Sequence, residues 1–259
     1  MLIGTAKFCT GTHVMGIINI TPDSFYAQSR FLDLDKLLRT VENFVNNGAE
    51  ILDIGGQSTR PGYDMISWEE ELDRILVPVM EIRKRFEVPI SVDTFYSQVA
   101  EEVLKQKVDM INDVSGLDFD KNMVDVIARY DAAICLVHNS RGDEKYSNTI
   151  EEIIASLKKK VERCIMAGIN HEKICIDAGI GFGKTLEQNW NLLNNYEKLH
   201  ELKLPLLLGA SRKSFLGGNV EDRLQKTLET TKLAIEKDVR FVRVHDVKEN
   251  FQLIKNFRI

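Results

Sequence analysis

Residues 51–62 read ILDIGGQSTRPG, a short apolar run that stops abruptly at glycines, an amide, hydroxyls and a cation. A run that is apolar almost throughout suits a parallel strand buried on both faces, since a strand with one wet face alternates. The same pattern recurs on either side: MGIINITPDSF (15–25) before it, and PISVDT (89–94), DMINDVSG (109–116), AAICLVHNSRG (132–142), KICIDAGIGFGK (173–184), LPLLLGASRKSF (204–215) and RFVRVHDV (240–247) after it. Eight such runs predict an α/β protein, a (β/α)₈ TIM barrel of eight parallel strands with outer helices. A polar cluster after every strand places all the clusters at one rim, where barrels of this kind carry their function.

Between the runs the hydrophobic period becomes helical. Leu34, Leu37, Leu38, Val41, Phe44 and Val45 form one stripe, and Asn46-Asn47-Gly48 then supplies a helix stop. Helices are expected on the same grounds over 68–86, 98–104, 123–130, 150–166, 187–199, 223–235 and 247–254. Residues 1 to about 13 precede the first barrel strand and are expected to form either an irregular tail or a short hairpin closing the barrel bottom.

Length and composition agree with this reading. The chain has 259 residues, near the ~250 of one (β/α)₈ barrel, so a single domain spanning 1–259 is expected. A net charge of -5 argues against a broad nucleic-acid-binding surface. No segment reaches ~18 uninterrupted apolar residues, and no leader pattern is seen, so a cytoplasmic protein without membrane contact is expected. Cys9, Cys135, Cys164 and Cys175 form no CxxC spacing and read as reduced, with Cys135 and Cys175 as small apolar fillers inside strands.

The glycine-rich cluster at 179–184 invites two nucleotide-binding readings, and both fail on spacing. A P-loop ending at Gly183-Lys184-Thr185 needs a glycine where Ala178 stands, and Lys184 occupies the third glycine position of GxGxxG. The glycines read instead as a tight loop bending away from the barrel mouth.

The rim carries Asn19, Asp53, Asp93, Asn112, Asp177, Lys213, Arg243 and His245, each within a residue or two of an apolar run. Any one of them could close a loop or cap a helix, as Asp23 and Thr94 are placed to do and as His245 before Asp246 could do for the last helix. Eight in register would leave many unpaired charges at a dry mouth unless a ligand completed them.

TPDSF, GGQSTRPG, SVDT, NDVSG, DAGIGFGK, GASRKSF and RVHDV, in this order, resemble the motif series of the dihydropteroate synthases, a pterin-binding family. The resemblance implies a transferase of folate biosynthesis. It would join 6-hydroxymethyl-7,8-dihydropterin diphosphate to p-aminobenzoate, releasing pyrophosphate and forming 7,8-dihydropteroate, with sulfonamides competing for the aminobenzoate site. It implies that Asp177 accepts the paired N–H donors of the pterin, a geometry carboxylates also offer to guanidinium. Asp93 and Asn112 would meet the remaining ring atoms, Lys213 would donate to the ring carbonyl, and Arg212 would stack on the ring face. Arg243 and His245 would hold the diphosphate, with Asn19 as an oxygen ligand of Mg²⁺. Thr59, Arg60 and Pro61 would sit over the aminobenzoate, Phe182 would pack on its ring, and Ser214 at a helix N-terminus would take its carboxylate. Lys213, Arg60 and Asp93 carry the catalytic assignment, and a homodimer formed through outer helices is implied.

The chain departs from the family pattern at several places. Tyr26-Ala27-Gln28-Ser29 stands where the family usually has Ser-Asp-Gly-Gly, Gln57 replaces a glutamate, Ala178 a proline, and Val137 a methionine; the 217–220 loop is short. Two alternatives stay open at this level: a methyltetrahydrofolate:corrinoid methyltransferase on the same barrel, which STRPG and SRKSF disfavour, and a pterin-binding homologue with weak or no synthase activity. If the missing aspartate acts on a developing cation, Ala27→Asp is expected to raise kcat with little change in pterin affinity, as steady-state kinetics beside direct binding would show.

Overall fold

The computed structural model describes residues 1–20, 30–57, 64–140, 147, 149–220 and 222–257, with only the backbone of 30–32. Ala27, Thr59, Arg60 and Pro61 lie outside the described residues. The N-terminal segment is a hairpin of β1 (Leu2–Ile3) and β2 (Ala6–Lys7), paired antiparallel. There follow β3 (His13–Asn19), α1 (Arg30–Asn46), β4 (Ile51–Gly55), α2 (Trp68–Arg85), β5 (Ile90–Asp93), α3 (Ser97–Lys105), β6 (Met110–Asp113) and α4 (Met123–Arg129). The second half holds β7 (Ala133–Val137), α5 (Ile150–Met166), β8 (Ile174–Asp177), α6 (Leu186–Asn194), β9 (Leu207–Leu208), α7 (Arg223–Glu236), β10 (Phe241–Val244) and α8 (Val247–Phe257).

The eight described strands β3 to β10 form one parallel sheet in the order β8-β7-β6-β5-β4-β3-β10-β9. A parallel bridge between Ile176 and Leu206 joins its two ends and closes the barrel. The chain is therefore a TIM barrel, and the continuous apolar runs acquire a physical meaning. Along β4, Leu52 and Ile54 point out into the layer beneath the helices, where Ile75, Val79, Val92 and Ile134 also lie. Ile51 points inward and packs with Met15, Met110, Cys135, Cys175, Leu207 and Phe241. Apart from strand ends and Arg243, the barrel strands are buried on both sides, so no polar alternation is written into the sequence.

The hairpin closes the bottom of the barrel. Ile3 and Phe8 belong to the interior layer, and the Phe8 ring meets Phe241 edge-on with centroids 5.3 Å apart. Cys135 and Cys175 face each other across β7 and β8 as buried free thiols.

Side-chain caps begin several helices where the sequence supplies hydroxyls. Ser67 accepts from Glu70 N at 3.3 Å ahead of α2, and Thr185 and Gln188 make a reciprocal capping box at α6. Two expectations need correction. The helix expected over 187–199 ends at Asn194, and Tyr196–Leu202 continues as 3₁₀ turns, because the Tyr196 hydroxyl turns inward to buried polar partners. Ser214 does not open an α-helix either. It starts one 3₁₀ turn, Ser214–Leu216, which Gly217 ends at φ 68°, and α7 begins only at Arg223.

Phe241 is fully buried in the bottom layer. Phe241→Ala is expected to lower the unfolding free energy by about 3–5 kcal/mol; a urea midpoint unchanged from the parent would contradict a packed barrel floor.

Candidate active site

Strand register assembles the rim. Asn19 lies beside Gly55, Gly55 beside Asp93 and Asp93 beside Asn112, while Val137 lies beside Asp177. The ideal Cβ position on Gly55 would sit 3.6 Å from the Asp93 Cβ and 3.9 Å from Asn19 Oδ1, so the missing side chain leaves room between an amide oxygen and a carboxylate.

Inside this ring Arg243 reaches across from β10. Its Nε donates to Asp53 Oδ2 at 2.5 Å and its Nη2 to Asp93 Oδ2 at 2.7 Å. Asn112 Nδ2 donates to the same Asp53 oxygen at 3.2 Å. Burial alone would lower the Arg243 pKa, but the Asp53 and Asp93 carboxylates hold it above the ordinary arginine value. Burial pushes Asp93 up to about 7; Arg243 opposes the rise, Asp53 and Asp113 add to it, and Lys213 again opposes it. Asp53 Oδ1 and Asn112 Oδ1 are buried without a hydrogen-bond partner. Buried orphan acceptors of this kind are costly unless a ligand supplies donors.

On the opposite wall, Asp177 Oδ1 accepts from Gly179 N at 2.7 Å and lies 3.2 Å from the Tyr196 hydroxyl. That hydroxyl donates to Leu207 O at 2.6 Å. Asp177 Oδ2 points at Gly209, whose added Cβ would come within 3.4 Å of it. Burial raises the Asp177 pKa, against the lowering pull of Lys213, the Gly179 N–H, Tyr196 and Lys184. The Lys213 ammonium donates to Ile180 O and stands 4.3 Å above the Phe182 ring, a cation–π arrangement.

Two contacts staple the loops after β9 and β10. Ser211 Oγ lies 3.0 Å from His245 Nδ1. Arg212, held at φ 54°, places Nε 2.9 Å from Asp246 Oδ2 and Nη2 2.5 Å from Oδ1. One edge of the guanidinium is thus taken by Asp246, which orients its planar face. Ser214 is exposed beyond this staple.

The structure therefore gathers Asn19, Asp93, Asn112, Asp177, Phe182, Lys213, Arg243 and His245 around the mouth. Thr59, Arg60 and Pro61 fall outside the described residues. Several participants escape sequence reading. Asp246 and Ser211 look like ordinary loop residues until the loops are apposed. Tyr196 could have been suspected, since it interrupts the leucine series Leu192, Leu193 and Leu199 with a hydroxyl that needs a partner. Glu71 hides in the run Glu69-Glu70-Glu71, which reads as a solvated first helical turn. It is fully buried, accepts from Thr94 Oγ1 at 3.2 Å, and is pushed up to about 8 by burial and then by the Asp93 charge.

Comparison with known proteins agrees with the geometry. Residues 15–245 match the profile of the family described as "Pterin binding enzyme". A dihydropteroate synthase of Clostridium beijerinckii is 44% identical, the match covering 98% of this chain and 97% of that one. The crystal structure of a dihydropteroate synthase from Clostridium difficile in the presence of pteroic acid superposes with a TM-score of 0.90 at 41% identity, covering 98% of this chain and 96% of that one. That of Xanthomonas albilineans with 4-aminobenzoic acid gives 0.90 at 32% identity over 96% and 92% of the two chains. With its motifs in order, its rim residues gathered on one mouth and relatives matched over nearly their whole length, the chain belongs to the pterin binding enzyme family, among the dihydropteroate synthases.

Proposed function

We propose that this mouth condenses 6-hydroxymethyl-7,8-dihydropterin diphosphate with p-aminobenzoate, giving 7,8-dihydropteroate and pyrophosphate for folate synthesis. The observation that carries the proposal is the convergence of unlike groups on one mouth: buried acceptors, Asp177 Oδ2, Asn112 Oδ1 and Asp93, beside cations and a ring, Lys213, Arg212 and Phe182. An aminopyrimidine edge offers two parallel N–H donors, which a carboxylate accepts together. Asp177 is fixed for this by Gly179 N, and Asn112 supplies an acceptor for a further ring N–H. Lys213 donates to the ring carbonyl while Arg212, its edge tied to Asp246, offers a face to the pterin plane.

The diphosphate lies toward His245 and Arg243, where the guanidinium and an imidazole N–H donate to phosphate oxygens. Asn19 fits a hard cation there, since its amide oxygen borders the Gly55 gap beside Asp93 and Mg²⁺ is commonly completed by substrate phosphates and water. When bound, Mg²⁺ would act as a Lewis acid on the departing pyrophosphate. As that group leaves, positive charge develops on the pterin methylene, and the Asp93 carboxylate stabilises it electrostatically. The aniline nitrogen needs no strong base; holding it in line supplies the rest. Thr59, Arg60, Pro61 and Ser214 hold the aminobenzoate in this reading, sulfonamides compete there, and the enzyme works as a cytoplasmic homodimer, on the strength of the family resemblance.

The direct test is pyrophosphate release from purified protein. Release that requires both substrates and Mg²⁺ is expected, and saturable pterin binding with no dihydropteroate would leave a binding protein in place of a synthase.

The Asp93 environment also sets a pH dependence. The fold keeps its proton to about 7, well above the ordinary 3.8. Its contribution to stability is therefore greatest below about 3.8 and is lost as pH climbs through about 7, whereas the carboxylate needed for the cation accumulates over the same window. kcat/KM, which reports the free enzyme, is expected to rise with pH through about 7 and then level off. Asp93→Asn is expected to remove most activity together with this inflection; a parent profile that is flat from pH 6 to 8 would exclude the assignment.

A further inference from the structure

Lys184 belongs to none of the groups assigned to substrate, yet the loop between β8 and α6 is gathered around it. Its ammonium lies 3.0 Å from Gly179 O, 3.1 Å from Phe182 O and 3.4 Å from His138 O, with His138 Nδ1 at 3.1 Å. His138 is buried and neutral, its pKa pushed down to about 3 by burial and then by the Lys184 and Lys160 charges, so its ring nitrogen can accept. Gly179, Gly181 and Gly183 all hold left-handed backbone, at φ 71°, 82° and 66°. Glycine tolerates that region without strain. At Gly179 any Cβ would fall 1.7 Å from His138 O, so the loop lies hard against the end of β7.

The frame gathered in this way presents the pterin wall. Gly179 N fixes Asp177, Ile180 O receives the Lys213 ammonium, and the Phe182 ring lies under that ammonium. Ser140 Oγ fastens the far side, 3.2 Å from Phe182 O. Among the described residues, the charged and titratable groups facing Lys184 are Asp177 from β8, Lys213 from the loop after β9, Lys160 from α5 and His138 after β7. Burial pushes Lys184 down to about 7, opposed by Asp177 and reinforced by Lys213 and Lys160. Among the described residues its hydrogen bonds run to carbonyl oxygens and an imidazole nitrogen, none to a carboxylate.

We propose that Lys184 is a positioning residue of the pterin pocket: by drawing the carbonyls of His138, Gly179 and Phe182 onto one ammonium, it fixes the loop that presents Asp177, Phe182 and Lys213. The inference rests on the reading of the mouth as a pterin site for the identity of the ligand. Pteroic acid, used as the probe, reports the pocket without turnover. Lys184→Met is expected to weaken pteroic acid binding tenfold or more by calorimetry and to raise the KM of the pterin substrate similarly, while kcat falls less than threefold. Amide hydrogen exchange over 179–183 is expected to accelerate ahead of the barrel strands. Lys184→Arg restores charge and donors and is expected to recover most of the affinity, a rescue that mere space-filling would not give. Should Lys184→Met not fold, Lys184→Gln serves in its place, since it keeps two N–H donors but reaches too short for three carbonyls; a loss of at least threefold is expected. Affinity equal to the parent in whichever variant folds would overturn the proposal. A parent that binds pteroic acid but forms no dihydropteroate would overturn the synthase reading alone, because affinity and exchange are read without catalysis.

Discussion

The mouth of this barrel depends on one buried ion cluster. Arg243 bridges Asp53 and Asp93 across the lumen, and Asp53 has no exposure to solvent. Charges brought this deep lose several kcal/mol of hydration each, which mutual attraction offsets only when geometry is good and neighbouring groups complete the hydrogen bonds. Strand β10 must therefore sit in one register relative to β3, and β4 and β5 must present their aspartates at matching heights. The same cluster decides the chemistry. One cation shared by two carboxylates leaves Asp93 only partly neutralised, and a carboxylate in that condition can respond to positive charge arising on a bound substrate.

Around the cluster the loops are ordered in pairs rather than singly. Ser211 with His245 and Arg212 with Asp246 tie the segments after β9 and β10 together. Lys184 ties the end of β7 to the loop after β8. Asp177, Lys213 and Arg243 are thus each supported by contacts from a neighbouring strand end, which is how a set of short loops can hold the angular precision that substrate orientation demands.

The barrel was legible because burial on both faces makes every strand apolar end to end, and the polar residue that follows each strand marks the rim. The roles of Asp177, Lys213 and Arg243 could be anticipated from their place at strand ends and from family resemblance. What escaped was decided by contacts distant in sequence. Nothing near Asp53 announces that its partner lies 190 residues away. Glu71 is one of three adjacent glutamates, and only its helical phase sends it beneath the rim. The helix N-terminus that the resemblance implies at Ser214 is a single 3₁₀ turn, because two left-handed glycines, Gly217 and Gly218, follow it directly. Tyr196 ended a helix early because its hydroxyl is needed under Asp177, a tertiary demand overriding local propensity.

The hairpin at the bottom carries a consequence for how the chain comes to be folded. Thr12 Oγ1 donates to Val239 O across 227 residues, and Arg240 Nη1 to Gly11 O across 229. The first barrel strand finds one of its two neighbours only in the last. A ribosome releasing this chain from its N-terminus would thus hold β3 with an open edge until β10 emerges, and the floor formed by Phe8 and Phe241 cannot assemble earlier. Contacts of such sequence separation carry a large loop-closure cost and slow the final step. Closure of the ring therefore waits on β10, and the partly built sheet is the species most exposed to wrong partners.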